Sequence, residues 1–395
     1  MPAIATYDRR VFSSRLDWEL PTNALSRLLD LKTARGARVL DLTVSNPTRA
    51  DLDYDSGRIL SALADERALI HEPSARGLAT ARGAVSEYYA GRGVPVPPER
   101  ILLTASTSEA YAYLFKLLAD PGDVILVPRP SYPLFEYLAR LEGVDARPYP
   151  LRYHHGWWVD FDALGAAADR RTRAVVVVNP NNPTGSFLKR SEADALAAFC
   201  QQRELAVICD EVFSDYTFGP DPDRVTTLAG REECQVFSLS GLSKLVGLPQ
   251  MKLGWIVTSG PRPLLEAALA RLELIADTYL SVGAPVQHAA ASLLAGMGRF
   301  QRSLARRLNA NLEFLRASGA DILDVDGGWY AVLRAPRTRS EEQWTLELLE
   351  DGDVLVQPGF YYDFDSEAFL VVSLLTPPAT FREGVDRMLS RLTGC

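Results

Sequence analysis

Three short stretches of this chain carry the residues best able to do chemistry. Lys244 closes Ser238-Leu-Ser-Gly-Leu-Ser-Lys244, directly after a strand-like run at 236–239. A lysine held there among small hydroxyl residues is an amine that can be kept beside a carbonyl and a phosphate, the setting of Schiff-base chemistry. Asp210 ends the apolar run Val207-Ile-Cys-Asp210, where an unpaired carboxylate is costly and one opposite a cation is compensated. Asn182 stands in Asn179-Pro-Asn-Asn-Pro-Thr-Gly185, a turn-forming stretch that gains meaning only beside the other two.

The elements that must position these residues read as an α/β architecture. Short β-branched runs at 39–44, 101–103, 124–127, 174–178, 206–209, 236–239 and 255–257 are each followed by turn residues and then a helical pattern, as in a mostly parallel sheet covered by helices. The run at 174–178 is unbroken rather than alternating, so both of its faces should be covered, as in a central strand. A helix from Ser108 to Leu118 ends at Asp120-Pro-Gly, and its hydroxyl-rich start, Ser106-Thr107-Ser108, is a ready anion site because backbone amides point outward at a helix N-terminus. Pro21-Thr22-Asn23 precedes an amphipathic helix that stops at Gly36. Beyond 283–285 the pattern turns to long helices at 286–294 and 300–318, a strand at 327–333 and a last helix from Thr380. The division expected is a large domain at 36–282 and a small α+β domain made of 1–35 and 283–395.

Composition fits a large soluble enzyme. With 395 residues, 47% hydrophobic and 23% charged, the chain can bury a full core and exceeds one ordinary domain. Its net charge of −8 argues against a nucleic-acid partner, which needs a basic face. Cys200, Cys209, Cys234 and Cys395 show neither zinc-site pairing nor a disulfide framework, so a reducing cytoplasm and no metal are expected. No stretch approaches the roughly 18 apolar residues needed to span a membrane.

Taken in order and at their spacing, the three motifs resemble those of the pyridoxal-phosphate-dependent aminotransferases of class I/II, the fold type I or aspartate aminotransferase superfamily. The resemblance runs from about Leu20 to Leu392 and is strongest between Thr104 and Gly254. It implies a large domain with a seven-stranded sheet between helices, a homodimer with the active site at the subunit interface, and pyridoxal 5'-phosphate as cofactor. It makes Lys244 the Schiff-base lysine and the base that moves a proton once freed, Asp210 the partner of the pyridine nitrogen, and Asn182 the hydrogen-bond partner of the ring hydroxyl oxygen. Ser106, Thr107 and Ser108 become the phosphate loop, with Ser243 and Lys252 as further phosphate contacts. Lys252 stands where most members have arginine, so a bidentate clamp becomes a point charge. Tyr132 matches the aromatic that covers the pyridine ring.

Two departures qualify the resemblance. Where many relatives carry a tyrosine that donates to the ring oxygen, this chain has Phe213, and Tyr216 one turn later is a substitute to consider. More consequential is the strand Phe369-Leu-Val371-Val-Ser373: Val371 occupies the position of the arginine that pairs with the substrate carboxylate. Arg49, Arg76 and Arg334 are the candidates to replace it. Arg49 comes first because it follows Ser45-Asn-Pro-Thr, where the family's chain passes the substrate. His71 sits where relatives place a tyrosine that reaches the neighbouring subunit's cofactor. Trp18, Tyr132, Tyr279, Trp329 and Tyr330 would suit an apolar or aromatic substrate side chain, although such residues are more often core packing. The expected activity is transamination between an amino acid and a 2-oxo acid in two half-reactions, with small-molecule partners only. The missing arginine keeps open a lyase or cyclising enzyme of the same fold, and a pyridoxal-phosphate-binding DNA regulator is the remoter alternative.

Overall fold

The structure, a computed structural model, describes residues 12–16 and 23–394. Trp18 and Cys395 lie outside them. In chain order the strands are β1 (Leu40–Asp41), β2 (Ile101–Thr104), β3 (Val124–Arg129), β4 (Asp145–Tyr153), β5 (Trp157–Val159), β6 (Thr172–Val178) and β7 (Ala206–Asp210). They continue as β8 (Val236–Gly241), β9 (Gly254–Ser259), β10 (Tyr330–Arg334), β11 (Val354–Leu355), β12 (Gln357–Pro358) and β13 (Phe369–Ser373).

Eight strands form one sheet in the order β2-β9-β8-β7-β6-β3-β4-β5. The centre, β8-β7-β6-β3-β4, is parallel, while β9 runs against both β2 and β8 and β5 runs against β4. Six of the seven runs expected as strands of this sheet are in it. The seventh, 39–44, is not: it supplies β1, which pairs in parallel with β11 near the other end of the chain. The sheet instead gains β4 and β5, so it has eight strands rather than seven. β4 carries Pro148 and Pro150 and is polar along much of its length. Both features are tolerated because residues 145–150 have a ladder partner on one side only, in β3. β6 is central as expected: Ala174 and Val176 enter one core cluster, Val175 and Val177 the opposite one. Burial of each such aliphatic side chain contributes about 1.5–3 kcal/mol.

A second assembly is built on the antiparallel sheet β10-β13-β12. Its core joins Val332, Leu370, Val371 and Val372 to Leu304, Leu308 and Leu312 of the helix Met297–Ala317, to Phe381 and Val385 of the helix Pro378–Thr393, and to Leu40 and Leu42. Two elements thus pack across the limits expected from sequence. β1 belongs with this core, whereas the helix Ala284–Ala295 buries Val286, Ala290 and Leu293 against Val85, Tyr89 and Trp255 of the large sheet's side. The first helix, Ala24–Ala34, is capped by the Asn23 side chain, which accepts from Ser26 N at 2.7 Å, and it packs Leu25 on Leu349 and Leu355.

Candidate active site

The strands β2, β3, β6, β7 and β8 all run the same way, so their carboxyl ends share one edge, where open α/β sheets bind ligands. Every motif singled out in the sequence emerges there. β7 ends at Asp210, whose carbonyl accepts from Asn179 N at 2.8 Å as the asparagine loop leaves β6. β8 ends at Gly241 and turns directly into the short helix Leu242–Leu245, which carries Ser243 and Lys244. β3 leads to Ser131 and Tyr132, and this turn is tied to the asparagine loop: Ser131 Oγ donates to Asn181 Oδ1 at 3.0 Å, and Asn181 Nδ2 donates to the Pro130 carbonyl at 3.1 Å.

Lys244 is half-buried, with Nζ 4.9 Å from the ring centroid of Trp329 and 5.4 Å from that of Phe213. Burial lowers its pKa to about 8, against the opposing attraction of Asp210. Asp210 is displaced the other way. Burial raises its pKa to about 6, although Oδ1 accepts from Val212 N and Oδ2 from the Tyr111 hydroxyl, each at 3.2 Å, and Lys244 also favours the anion. An amine and a carboxylate so displaced are the kind of pair found at functional sites.

The three asparagines of the loop divide their work. Asn179 bonds to the Val225 carbonyl and Leu188 N, and Asn181 bonds to Pro130, Ser131 and Thr184. Of the three, Asn182 alone is left with a buried side-chain oxygen that has no partner among the described residues. Such an atom costs about 1–3 kcal/mol, which a bound polar group would relieve.

Ser106 caps the helix Thr107–Leu118, its Oγ accepting from Glu109 N at 3.2 Å. The hydroxyls of Thr107 and Ser108 remain half-buried and without bonding partners among the described residues. Gly254 holds this turn against β8: a Cβ there would lie 3.2 Å from the Ser106 backbone and 3.2 Å from the Ser240 carbonyl. Two residues earlier Lys252 is exposed, takes a left-handed conformation (φ 53°) and has no ion pair among the described residues. The turn amides, the free hydroxyls and a nearby cation are a donor set for a phosphate.

Tyr132 is 47% exposed, and its hydroxyl pKa is raised by burial and by the charge of Asp210, which places it within electrostatic reach of that carboxylate. Phe213 is buried edge-on to Trp329, centroids 5.2 Å apart. Tyr216 does not stand in for the tyrosine that Phe213 replaces. Its hydroxyl donates to the Lys244 backbone carbonyl at 2.6 Å and its own carbonyl accepts from Gly328 N at 2.8 Å, so it fastens the lysine turn to the loop before Trp329.

Of the residues considered for substrate, Val371 is fully buried, and no cation takes its place on β13. Arg76 is engaged by Glu273 at 2.5 Å, and Arg334 lies over Tyr153 and bonds Asp321. Arg49 is exposed, with no ion pair among the described residues. Ser45 and Arg49 follow a segment laid along the end of β13: Ser373 N donates to the Leu42 carbonyl at 2.7 Å and Ser373 Oγ to the Val44 carbonyl at 2.6 Å, while Leu374 N donates to the Trp329 carbonyl at 2.8 Å. His71 is exposed and lines a separate cleft of about 240 Å³ with Ser281 and His288. Tyr279 meets Tyr113 at a tilt, ring centroids 5.3 Å apart, also apart from Lys244. Tyr330, by contrast, reaches Phe213 with centroids 6.4 Å apart. Tyr111, Gln357 and Tyr362 were not assigned a role at the site from sequence, because each reaches it through tertiary register that leaves no local pattern.

These residues fit the cofactor that the motifs imply: an aldehyde has its amine, a pyridine nitrogen its anion, a phosphate its donors and a ring hydroxyl an acceptor in the unmet Asn182 Oδ1. The chain is 25% identical over 353 residues to the glutamate-pyruvate aminotransferase of Haemophilus influenzae, covering 86% of this chain and 87% of that one. It is 28% identical over 381 residues to the LL-diaminopimelate aminotransferase of Desulforudis audaxviator, covering 94% of each. Among solved structures the alanine aminotransferase of Pyrococcus furiosus has the same fold, with a TM-score of 0.86, 24% identity and coverage of 97% of this chain and 100% of that one. The family model for aminotransferase class I and II matches residues 13–388, and the chain belongs to that family of pyridoxal-phosphate-dependent transaminases.

Proposed function

We propose that this aminotransferase moves an amino group between an amino acid with an apolar or aromatic side chain and a 2-oxo acid, with Lys244 as the cofactor-holding and proton-moving amine. The observation that carries this reading is the meeting of Lys244, Asp210 and the unmet Asn182 oxygen at one strand edge, with the Lys244 amine 4.9 Å from the Trp329 ring centroid and 5.4 Å from that of Phe213. Bound pyridoxal phosphate supplies an aldehyde for the amine and a protonated pyridine ring able to draw electrons from the substrate carbon. The residues of the chain do the rest. Asp210 would keep the ring nitrogen protonated, Asn182 would hydrogen-bond the ring hydroxyl, and Tyr132 would cover the ring. Ser106, Thr107, Ser108, Ser243 and Lys252 hold the phosphate. The Lys244 amine, whose pKa burial lowers to about 8 in the cofactor-free protein, would take and return the substrate proton.

Titrating the purified enzyme with a panel of amino acids and amines, with no acceptor present, should convert its visible absorbance to that of the pyridoxamine form, most readily with apolar and aromatic donors. Release of ammonia with an oxo acid, without that conversion, would overturn transamination in favour of elimination.

Arg49 is the substrate-carboxylate cation in this reading, supported by its lack of a partner and by the course of its loop beside Ser373 and Trp329. Arg49→Ala should reduce kcat/KM for amino acids about tenfold, as expected for an exposed charge-assisted hydrogen bond, and leave the corresponding primary amides unchanged. Equal losses for acid and amide would remove Arg49 from this role. Ser45 lies in the same loop.

The same reading takes the chain as a two-domain protomer, with 36–282 as the cofactor-binding part, β1 excepted, and a homodimer of the 43.5 kDa chain. Leu69, Ile70, Leu274 and Tyr279 are 88%, 65%, 71% and 50% exposed, more apolar surface than a monomer readily leaves bare. The side of the molecule that carries His71 would face the second copy, and sedimentation at the mass of one chain would count against this. Cys200, Cys209 and Cys234 are buried free thiols, in keeping with a cytoplasmic protein; among the described residues no helix is long and apolar enough to cross a membrane.

A further inference from the structure

The position left apolar by Val371 has a polar neighbour in the adjoining strand. In the sheet β10-β13-β12, Val371 pairs with Val332 on one side and with Gln357 on the other. Directly opposed residues in antiparallel strands share a face, so Gln357 projects on the side where an arginine at 371 would have projected. Tyr330 pairs with Ser373, two residues along, and therefore lies on that face too. Its ring meets Phe213, over which the Lys244 amine sits. This face of the small sheet thus looks onto the lysine.

The Gln357 side chain is held in one orientation. Its Oε1 accepts from the Tyr362 hydroxyl at 2.5 Å, and burial raises the pKa of that phenol, keeping it a donor. Tyr362 is itself anchored. The buried Glu341 accepts from Phe360 N and Phe369 N, each at 2.6 Å, and so fastens the turn Gly359–Tyr362, while Ser131 N, next to Tyr132, donates to the Tyr362 carbonyl at 2.9 Å. The amide oxygen is therefore used, and the two N–H donors on Nε2 have no partner among the described residues. Gln357 is only partly buried, and it lines an open groove of about 980 Å³ together with Ser131, Tyr132 and Tyr362. Free donors on a fixed amide, beside the aromatic proposed to cover the cofactor, form a recognition element in search of an oxygen.

We propose that Gln357, oriented by Tyr362, donates to the oxygen of the group on the substrate's amino-bearing carbon, so that this site reads a hydrogen-bond acceptor where arginine-bearing relatives read a charge. The proposal rests on the aminotransferase reading above and adds its specificity. A neutral amide serves a carboxylate and a carboxamide alike, and the charge contribution proposed for the exposed Arg49 is screened by solvent. The substrates therefore include α-amino amides as well as α-amino acids.

The test uses α-methylphenylalanine and its primary amide, which bind but lack the proton that the reaction removes. Their dissociation constants are read from the absorbance of the holoenzyme. The wild type should bind the two within about tenfold of each other. Gln357→Leu should weaken both by about tenfold, as for one lost hydrogen bond in a partly buried site. Gln357→Glu should weaken the acid by about a hundredfold through like-charge repulsion while keeping the amide, whose NH₂ can donate to the new carboxylate. Tyr362→Phe releases the Gln357 amide without removing it and should cost both ligands a few-fold, which keeps the idea open to refutation if the Gln357 variants do not fold. An acid-to-amide ratio that is the same in wild type and Gln357→Glu would overturn the role of Gln357. A wild type that answers neither compound, while other donors still convert the cofactor, would overturn the donor class. An enzyme whose absorbance answers no amine at all would overturn the aminotransferase reading on which both rest.

Discussion

Lys244→Ala should lower turnover by at least about ten-thousandfold, the upper range for loss of a positioned acid–base group, and should abolish reducible attachment of the cofactor. The reason lies in how the lysine is held. With a pKa near 8, about a tenth of the amine is neutral at pH 7, several hundred times the fraction of an ordinary lysine. In the cofactor-free protein, reaction of this amine with an added aldehyde should therefore rise with pH up to about 8 and level off above it. The same displacement predicts a stability effect of known sign. A lysine whose folded-state pKa is depressed destabilises the fold below that pKa, and the penalty fades as pH climbs toward the unfolded value of about 10.4. Lys244→Met keeps the aliphatic stem and removes the charge, so the cofactor-free variant should be more stable than wild type by roughly 2–3 kcal/mol at pH 7, a gap that closes near pH 10. Lost turnover beside raised stability separates a chemical role from a structural one. Wild-type turnover in Lys244→Ala would refute the assignment.

How much of this could be read from the sequence depends on the reach of each interaction. Lys244, Asp210 and Ser106 stand at or just past apolar runs, and a strand end is a local feature, so pattern put each at a strand end while their common site came from the resemblance. The run at 39–44 was misplaced in the large sheet because β1 is stabilised by two residues of pairing with β11, a partner at the far end of the chain. β4 went unseen because Pro148 and Pro150 break its pattern, and only the sheet's edge makes them harmless. Asn179, Asn181 and Asn182 are alike in residue type, and only the resemblance singled out Asn182. The fold separates them by giving bonding partners to the first two and leaving the third unmet. Val371 was legible as a missing arginine, yet its neighbour Gln357 was not, since their pairing is fixed by the register of β12 on β13. Motif residues are thus readable where the chain runs straight into the site, and unreadable where a second element must be laid alongside.

Asp210→Asn should give the second-largest loss, about 10²- to 10³-fold in kcat/KM, because it removes one member of a charge pair in a buried setting, where breaking a pair costs about 3–5 kcal/mol. Asparagine nearly matches the shape and can still accept from Tyr111, but it places an NH₂ group or a neutral oxygen where Val212 N now meets a carboxylate. Before the cofactor binds, burial has raised the carboxyl pKa to about 6. A folded-state pKa above the unfolded value of about 3.9 means that ionisation works against folding, so this contribution falls as pH rises from about 4 to 6 and stays low beyond. The cofactor-free Asp210→Asn protein should therefore melt higher than wild type at pH 7, by an amount equivalent to about 1–3 kcal/mol, with no difference near pH 4. With cofactor bound the order should reverse, because only the carboxylate can offset a protonated ring nitrogen, and the variant should release its cofactor more readily. A residue that merely capped β7 would weaken both forms alike when replaced. Opposite effects on the empty and loaded protein are the signature of a carboxylate that destabilises the fold and is compensated only by its ligand. An empty variant no more stable than wild type at pH 7, or a loaded one with unchanged turnover, would take Asp210 out of this role.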